Sequence, residues 1–373
     1  MSVSRWHGIS LVAGLSLVRA CRILATARNT QLDGWRAFAV LGVMWHHWAP
    51  VAWRGIFPFE IGLFFFLTLT GFLIGRILLR DKEAGEGGDV PWRLQAYRNF
   101  LKRRMFRILV PCYAAMVFAI CVGARDISHH PLAYFAHFSN FHMALLPGWP
   151  SGTAHYWTLA IQMQFYLLFP ILIFYVPKRV LPTVLILFSL VAPLSRWGLE
   201  TYFPEIYHSQ AITTSAFDYF GIGALLAVAM ERGTQAGDRK WRWVSLVAGG
   251  CYLVCRGYEE FSTPLVGVKY FQQTFVSIAF AGLVSSTLAG FRGWLGTLLN
   301  HPAVQHVGRI SYGLYLFHTP VPLLLGYVMP FLWQPVFNGP LLMIRLLAFF
   351  LTSWGLAWLC WRYLEKGLSK RAV

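Results

Sequence analysis

Phe64-Phe65-Phe66-Leu67-Thr68-Leu69-Thr70-Gly71-Phe72 lies inside an apolar stretch at approximately 57–79. At about 1.5 Å per residue such a stretch crosses the roughly 30 Å of hydrocarbon in a bilayer. Comparable stretches fall at approximately 35–53, 105–124, 157–176, 180–197, 213–230, 243–257, 270–290, 310–333 and 340–361. Their number and order predict an all-α polytopic membrane helix bundle of about ten transmembrane helices.

Composition agrees. Hydrophobic residues make up 57% of the 373-residue chain and charged residues only 13%, against roughly 25% in ordinary soluble domains. One membrane domain is expected over residues 31–366, with no room in the loops for a soluble module. It is flanked by a basic extension over 1–30, interfacial or mobile, and a short cytoplasmic tail over 367–373. Arg19 and Arg22 interrupt the path from the short apolar run Ile9–Val18 to Ala25-Thr26-Ala27, so a cleaved signal peptide is not expected.

The net charge of +17 sits in short loops between apolar runs. That is the footprint of topology and anionic-lipid contact rather than of a nucleic-acid partner. With the N-terminus inside, cytoplasmic segments hold 26 of the 32 Lys and Arg residues. This bias predicts a cytoplasmic-membrane, multi-pass protein with both termini in the cytoplasm. Cys251 and Cys255 are one helical turn apart and no paired CxxC set exists. Five histidines of the loop 125–156 (129, 130, 137, 142 and 155) show no diagnostic ligand spacing, so no metal is expected.

Ionisable groups inside such helices are functional candidates. Arg36 and His47 are eleven residues apart in the first stretch, which places them within about 20° of one helix face and about 16 Å apart along it. A core histidine bonded to a neighbouring helix fits that position as well. His46, about 100° away, faces elsewhere. Asp33 is placed to cap the helix start. Thr70-Gly71 suits close helix packing. Arg103, Arg104 and Arg107 cluster before the third stretch. Spacing favours membrane anchoring there, with a bidentate phosphate clamp as the sharper reading. Gln162 and Gln164 in the fourth stretch are of the kind that join helices. Ser311, Tyr315 and His318 form a polar stripe within about 60°, which could also satisfy backbone groups freed by Pro320 and Pro322.

Taken together, Leu32-Asp33-Gly34-Trp35-Arg36 with His47, the Thr70-Gly71-Phe72 helix, the arginines before Pro111, Trp157-Thr158-Leu159 through Gln164-Phe165-Tyr166, and Ser311 through His318 resemble the acyltransferase-3 family over roughly residues 31–366. These are membrane O-acyltransferases that modify cell-surface glycans and some small molecules. The resemblance implies an acyl-CoA co-substrate, usually acetyl-CoA, no resident cofactor, and a sugar hydroxyl as acceptor. It maps donor binding onto Arg36, Arg104 and Arg107, and catalysis onto His47 and Arg36. Asp33, Gln162, Ser311, Tyr315 and His318 take supporting places. Asp218 with Gly223 is similar to a family pattern, and Arg362-Tyr363-Leu364-Glu365-Lys366 resembles the family's Glu-Arg-Pro ending without its proline. The chain departs from the family at Gln162, where Glu is usual. In the implied mechanism Arg36 holds CoA phosphates and His47 acts as general base on the acceptor hydroxyl. A transporter or flippase of a lipid-linked or acylated substrate, and a silent membrane scaffold, are the competing readings.

Overall fold

The computed structural model describes residues 29–54, 59–87, 91–261, 267–333 and 339–366. Nearly all of the 1–30 extension and the 367–373 tail lie outside them. The described residues are all-helical and contain no strand. The principal helices are α1 (Thr30–Trp48), α2 (Ile61–Glu86), α3 (Trp92–Cys121), α4 (Tyr156–Tyr175), α5 (Leu181–Tyr202), α6 (Phe217–Glu231), α7 (Arg239–Phe261), α8 (Gln272–Ala289), α9 (Pro302–Arg309), α10 (Ser311–Phe317), α11 (Pro320–Val328) and α12 (Pro340–Cys360).

Six helical segments among the described residues are long and apolar enough to cross a membrane: α2, α3, α4, α5, Thr213–Glu231 and Pro340–Glu365. A seventh arises if Val268–Ala289 and Gly293–Asn300, bent by 90° at their break, count as one span. The remaining apolar stretches are helical for visible reasons less than ideal spans. α1 places Gln31, Asp33 and Arg36 in its first two turns, α7 opens on Arg239, Lys240 and Arg242, and the stretch at 310–333 is divided into α10 and α11 at His318-Thr319.

The start of α1 also differs from expectation. The cap is Asn29, whose side chain accepts from the Leu32 amide at 3.1 Å. The helix begins before Asp33, which therefore lies inside its first turn.

Close backbone approach holds the centre together. A Cβ at Gly71 would stand 2.3 Å from the Phe220 carbonyl oxygen, and one at Gly223 would stand 2.1 Å from the Thr68 carbonyl oxygen. α2 and α6 thus cross with glycines on both sides, as small residues allow in apolar bundles. Polar groups inside are matched. Buried Arg196 of α5 bonds to Asp218 of α6 at 2.7 Å and to the Ser215 and Tyr270 carbonyls, while Thr274 of α8 donates to the same carboxylate at 2.7 Å. Lys82, also buried, donates to the Ile173 and Val176 carbonyls, satisfying acceptors that the end of α4 leaves unpaired.

Between α3 and α4 three short helices, Arg125–His129, Pro131–Phe135 and Ser139–Ala144, with the turn 151–155, form a cap over one end of the bundle. Gln164 of α4 ties to it by donating to the His137 carbonyl and to Asn140 Oδ1, both at 2.9 Å.

The glycine crossing gives a direct stability test. Gly71→Ala should cost about 1–3 kcal/mol by overpacking. Gly250→Ala, where nothing lies within 4 Å, should leave stability unchanged or slightly raised. Thermal unfolding in detergent reads the difference, and equal midpoints for the two variants would contradict the packing.

Candidate functional site

α1, α2, α3, α4, α9 and α10, with the chain after α12, line a cavity of about 450 Å³. Its wall carries Arg36, Arg104, Arg107, Arg309 and Lys366 as cations and Glu365 as the carboxylate. Tyr166, Gln162, Thr158, Ser311, Tyr312 and Tyr315 supply neutral polar groups, and Leu63, Phe66, Leu67, Leu69 and Leu73 an apolar side. Arg36 is three-quarters buried and stands 3.4 Å from Asp33, one turn back on α1. Arg104 is half-buried and Arg107 exposed. Arg103 turns to Asp81 at 3.3 Å instead. Of the three clustered arginines, two line the cavity.

His47 and His318 are not part of the cavity wall. They meet beyond Tyr315, whose ring lies 5.4 Å from that of His318. His318 Nδ1 donates to the Tyr315 carbonyl at 2.7 Å, which leaves Nε2 to accept. His47 Nδ1 lies 2.9 Å from the Val43 carbonyl and 3.3 Å from His318 Nε2. Both are acceptors in this arrangement, so the hydrogen-bond network assigns the His47 proton to Nδ1 and an open lone pair to Nε2. His46, next in sequence, faces Glu60 at 3.6 Å, and Glu60 is bound by Arg256 at 2.8 Å. The two histidines therefore serve different faces of α1.

Tyr315 joins the cavity to the histidines. Its hydroxyl lies 2.6 Å from Thr158 Oγ1 and 3.3 Å from the His155 carbonyl. Buried His155 meets His318 edge-on with ring centroids 5.1 Å apart, and its Nδ1 lies 2.6 Å from Thr319 Oγ1. The third residue of the polar stripe, Ser311, lines the cavity with its hydroxyl buried and unpartnered.

Gln162 also lines the cavity. It donates to the Tyr166 hydroxyl at 2.6 Å and lies 3.4 Å from Thr70 Oγ1. The carboxylate that α4 lacks is present in the cavity from another direction. A single π-helical turn, Trp361–Glu365, brings in Glu365, one of whose oxygens is buried without a hydrogen-bond partner. Such turns are often found at functional sites. Spacing could not reveal Glu365, Tyr166 or Arg309 as companions of Arg36 in the cavity wall, nor His155 as a neighbour of His318. Only the closing Arg-Tyr-Leu-Glu-Lys motif hinted at the first.

Residues 29–362 match the acyltransferase-3 family, an acyltransferase domain. The chain belongs to that family. Among the relatives of this acyltransferase-3 chain is the peptidoglycan O-acetyltransferase OatA of Listeria monocytogenes, 27% identical over 345 residues, which cover 82% of this chain and 52% of the relative. The putative peptidoglycan O-acetyltransferase YrhL of Bacillus subtilis is 26% identical over 78% of this chain and 48% of its own length. The O-acetyltransferase OatA of Staphylococcus aureus is 25% identical over 78% and 50%. The chain spans about half the length of the curated relatives it matches. No solved structure matches it.

The Gln162 geometry is testable through stability. Gln162→Ala removes the bond to the buried Tyr166 hydroxyl and should cost about 1–2 kcal/mol. Gln162→Glu loses the N–H donor but offers a carboxylate oxygen to which the Tyr166 hydroxyl can donate instead, and should stay close to wild type. Thermal unfolding midpoints decide it, and a wild-type midpoint for Gln162→Ala would remove Gln162 from the cavity's supporting network.

Proposed function

We propose that this chain is a membrane-embedded O-acyltransferase that moves an acetyl group from acyl-CoA to a sugar hydroxyl of a cell-surface glycan. Peptidoglycan, the acceptor in the relatives' names, is the first candidate. In this reading the protein is a multi-pass protein of the inner membrane with about ten spans. Both termini are cytoplasmic, following the distribution of Lys and Arg. The donor enters at the cytoplasmic, arginine-rich end.

The observation that carries the proposal is the cavity's charge. Five cationic side chains and one carboxylate surround a partly apolar space. A diphosphate-bearing thioester with a long, weakly polar arm matches that arrangement. Guanidinium groups of Arg36, Arg104 and Arg107 bind phosphate through paired N–H donors, and the arm lies along the leucines and Phe66. The unpartnered Ser311 hydroxyl and Glu365 oxygen are groups that a bound ligand would satisfy.

His47 Nε2 is the base. It takes the proton of the acceptor hydroxyl as that oxygen bonds to the thioester carbonyl carbon. The carbon–sulfur bond then breaks, and the proton passes from His47 to the departing CoA thiolate. His318 and the Val43 carbonyl hold the imidazole in the tautomer this requires. Asp33 holds Arg36, and Tyr315 and Thr158 shape the passage between cavity and base. Gln162 holds Tyr166 in the wall.

Purified protein supplied with acetyl-CoA and peptidoglycan fragments should release CoA thiol in step with O-acetylation. General-base catalysis is worth about 100-fold or more, so His47→Ala should lose that much while remaining folded. His46→Ala should lose far less. No acetyl-CoA-dependent transfer by the wild type, with substrate uptake into vesicles instead, would favour a transporter. A larger loss in His46→Ala than in His47→Ala would place the base on the other face of α1.

A further inference from the structure

The cap contains a constellation that the acyl-transfer site does not use. Asp126 on Arg125–His129, His130 at the joint to Pro131–Phe135, and His142 on Ser139–Ala144 bring one ligand-type atom each to within 4.8 Å of one another. Both imidazoles converge on the Asp126 carboxylate. Asp126 Oδ1 lies 3.1 Å from His142 Nε2 and 3.5 Å from His130 Nδ1. His142 Nε2 also lies 3.2 Å from Oδ2, and His130 Nδ1 also lies 3.3 Å from the Asp126 backbone carbonyl. For ligands held about 2.0–2.2 Å from a tetrahedral metal ion, the expected separation of ligand atoms is about 3.4 Å.

The other carboxylate oxygen is held from behind. Asp126 Oδ2 accepts a short hydrogen bond from the hydroxyl of Tyr134, which also lies 3.0 Å from Thr153 Oγ1. Tyr134 is fully buried. An outer-shell donor that fixes a ligating carboxylate in this way is a regular part of metal sites. The His142 and Asp126 side chains are about four-fifths buried and that of His130 is half exposed, which leaves a side open for entry and for a water ligand.

We propose that Asp126, His130 and His142 form a binding site for one divalent transition-metal ion of the zinc class, which braces the three short helices of the cap. Two imidazoles with one carboxylate favour such an ion over magnesium or calcium, whose sites are built from oxygen. Sequence spacing gave no warning. The ligands are four and then twelve residues apart, and it is the turns between short helices that make them converge. His129 is adjacent in sequence but is not one of the converging set.

The test uses the full chain, tag removed, in detergent, stripped with a chelator and then dialysed against zinc chloride. Metal analysis should find one zinc per chain, and cobalt in its place should give the visible absorption of a low-symmetry N/O site. His130→Ala and His142→Ala should each weaken zinc binding by about 100-fold or more, at or beyond the top of the roughly 10–100-fold range for loss of an outer-shell partner. His129→Ala should bind as wild type. Because His130 is half exposed, His130→Ala should fold, and a single symmetric gel-filtration peak checks this. Failure of the folded wild type to retain zinc would overturn the site, as would equal retention by wild type, His130→Ala and His142→Ala.

Discussion

An α-helix fixes the distance between any two of its side chains, and α1 uses that fact as a ruler. Eleven residues set Arg36 and His47 about 16 Å apart and nearly in line. One end of the ruler is fixed in the cavity wall by Arg36, beside Asp33. The other is fixed by the contacts of His47 with the Val43 carbonyl and His318. The rest of the bundle serves to hold this helix in register. Gly62 lets α2 approach the Ala39 carbonyl, and Gly308 of α9 packs on the Asp33 carbonyl. Trp48 at the far end donates to the His318 carbonyl at 2.8 Å. A phosphate at one end and a thioester carbon at the other would then be positioned by backbone geometry rather than by flexible loops.

Electrostatics supplies the second constraint. Placing several cations around a cavity with an apolar side is costly unless counter-charge is provided. Asp33 and Glu365 provide part of it. Residual positive charge raises the local concentration of an anionic ligand, and the same field would repel cations. Towards His47 the surroundings change in kind. The groups around the His47 and His318 rings are paired hydroxyl to hydroxyl and imidazole to carbonyl, while nearby Arg54 is tied to the His47 and Ala49 backbone carbonyls, an arrangement that suits proton transfer better than charge binding.

What the sequence made legible follows from which interactions are local. The helices could be read because apolar runs and their lengths are local properties, and Arg36 with His47 could be paired because one helix carries both. Thr70-Gly71 was read as a packing site, and Gly71 does meet the Phe220 carbonyl. The break of one stretch at His318-Thr319 and the sharp bend before Gly293 were not legible, because a helix can end inside an apolar run when neighbours satisfy its freed groups. Asp33 looked like a cap only because the helix appeared to start later than Asn29. Glu365, His155 and the Asp126–His130–His142 convergence all depend on contacts between distant segments, which no spacing rule encodes. The Gln162 departure changed meaning once Glu365 was found in the same cavity wall, since the site as a whole is not without a carboxylate.

The central claim is that the cationic cavity between α1 and α3 holds the acyl donor. It is tested most directly by equilibrium binding of a CoA thioester to purified wild-type protein and to Arg36→Lys, Arg36→Ala and Arg104→Ala. Lysine keeps the charge but loses the bidentate fork, so affinity should fall measurably in Arg36→Lys and further in both alanine variants. Equal affinity across all four proteins would contradict the claim and leave these arginines as anchors to anionic lipid.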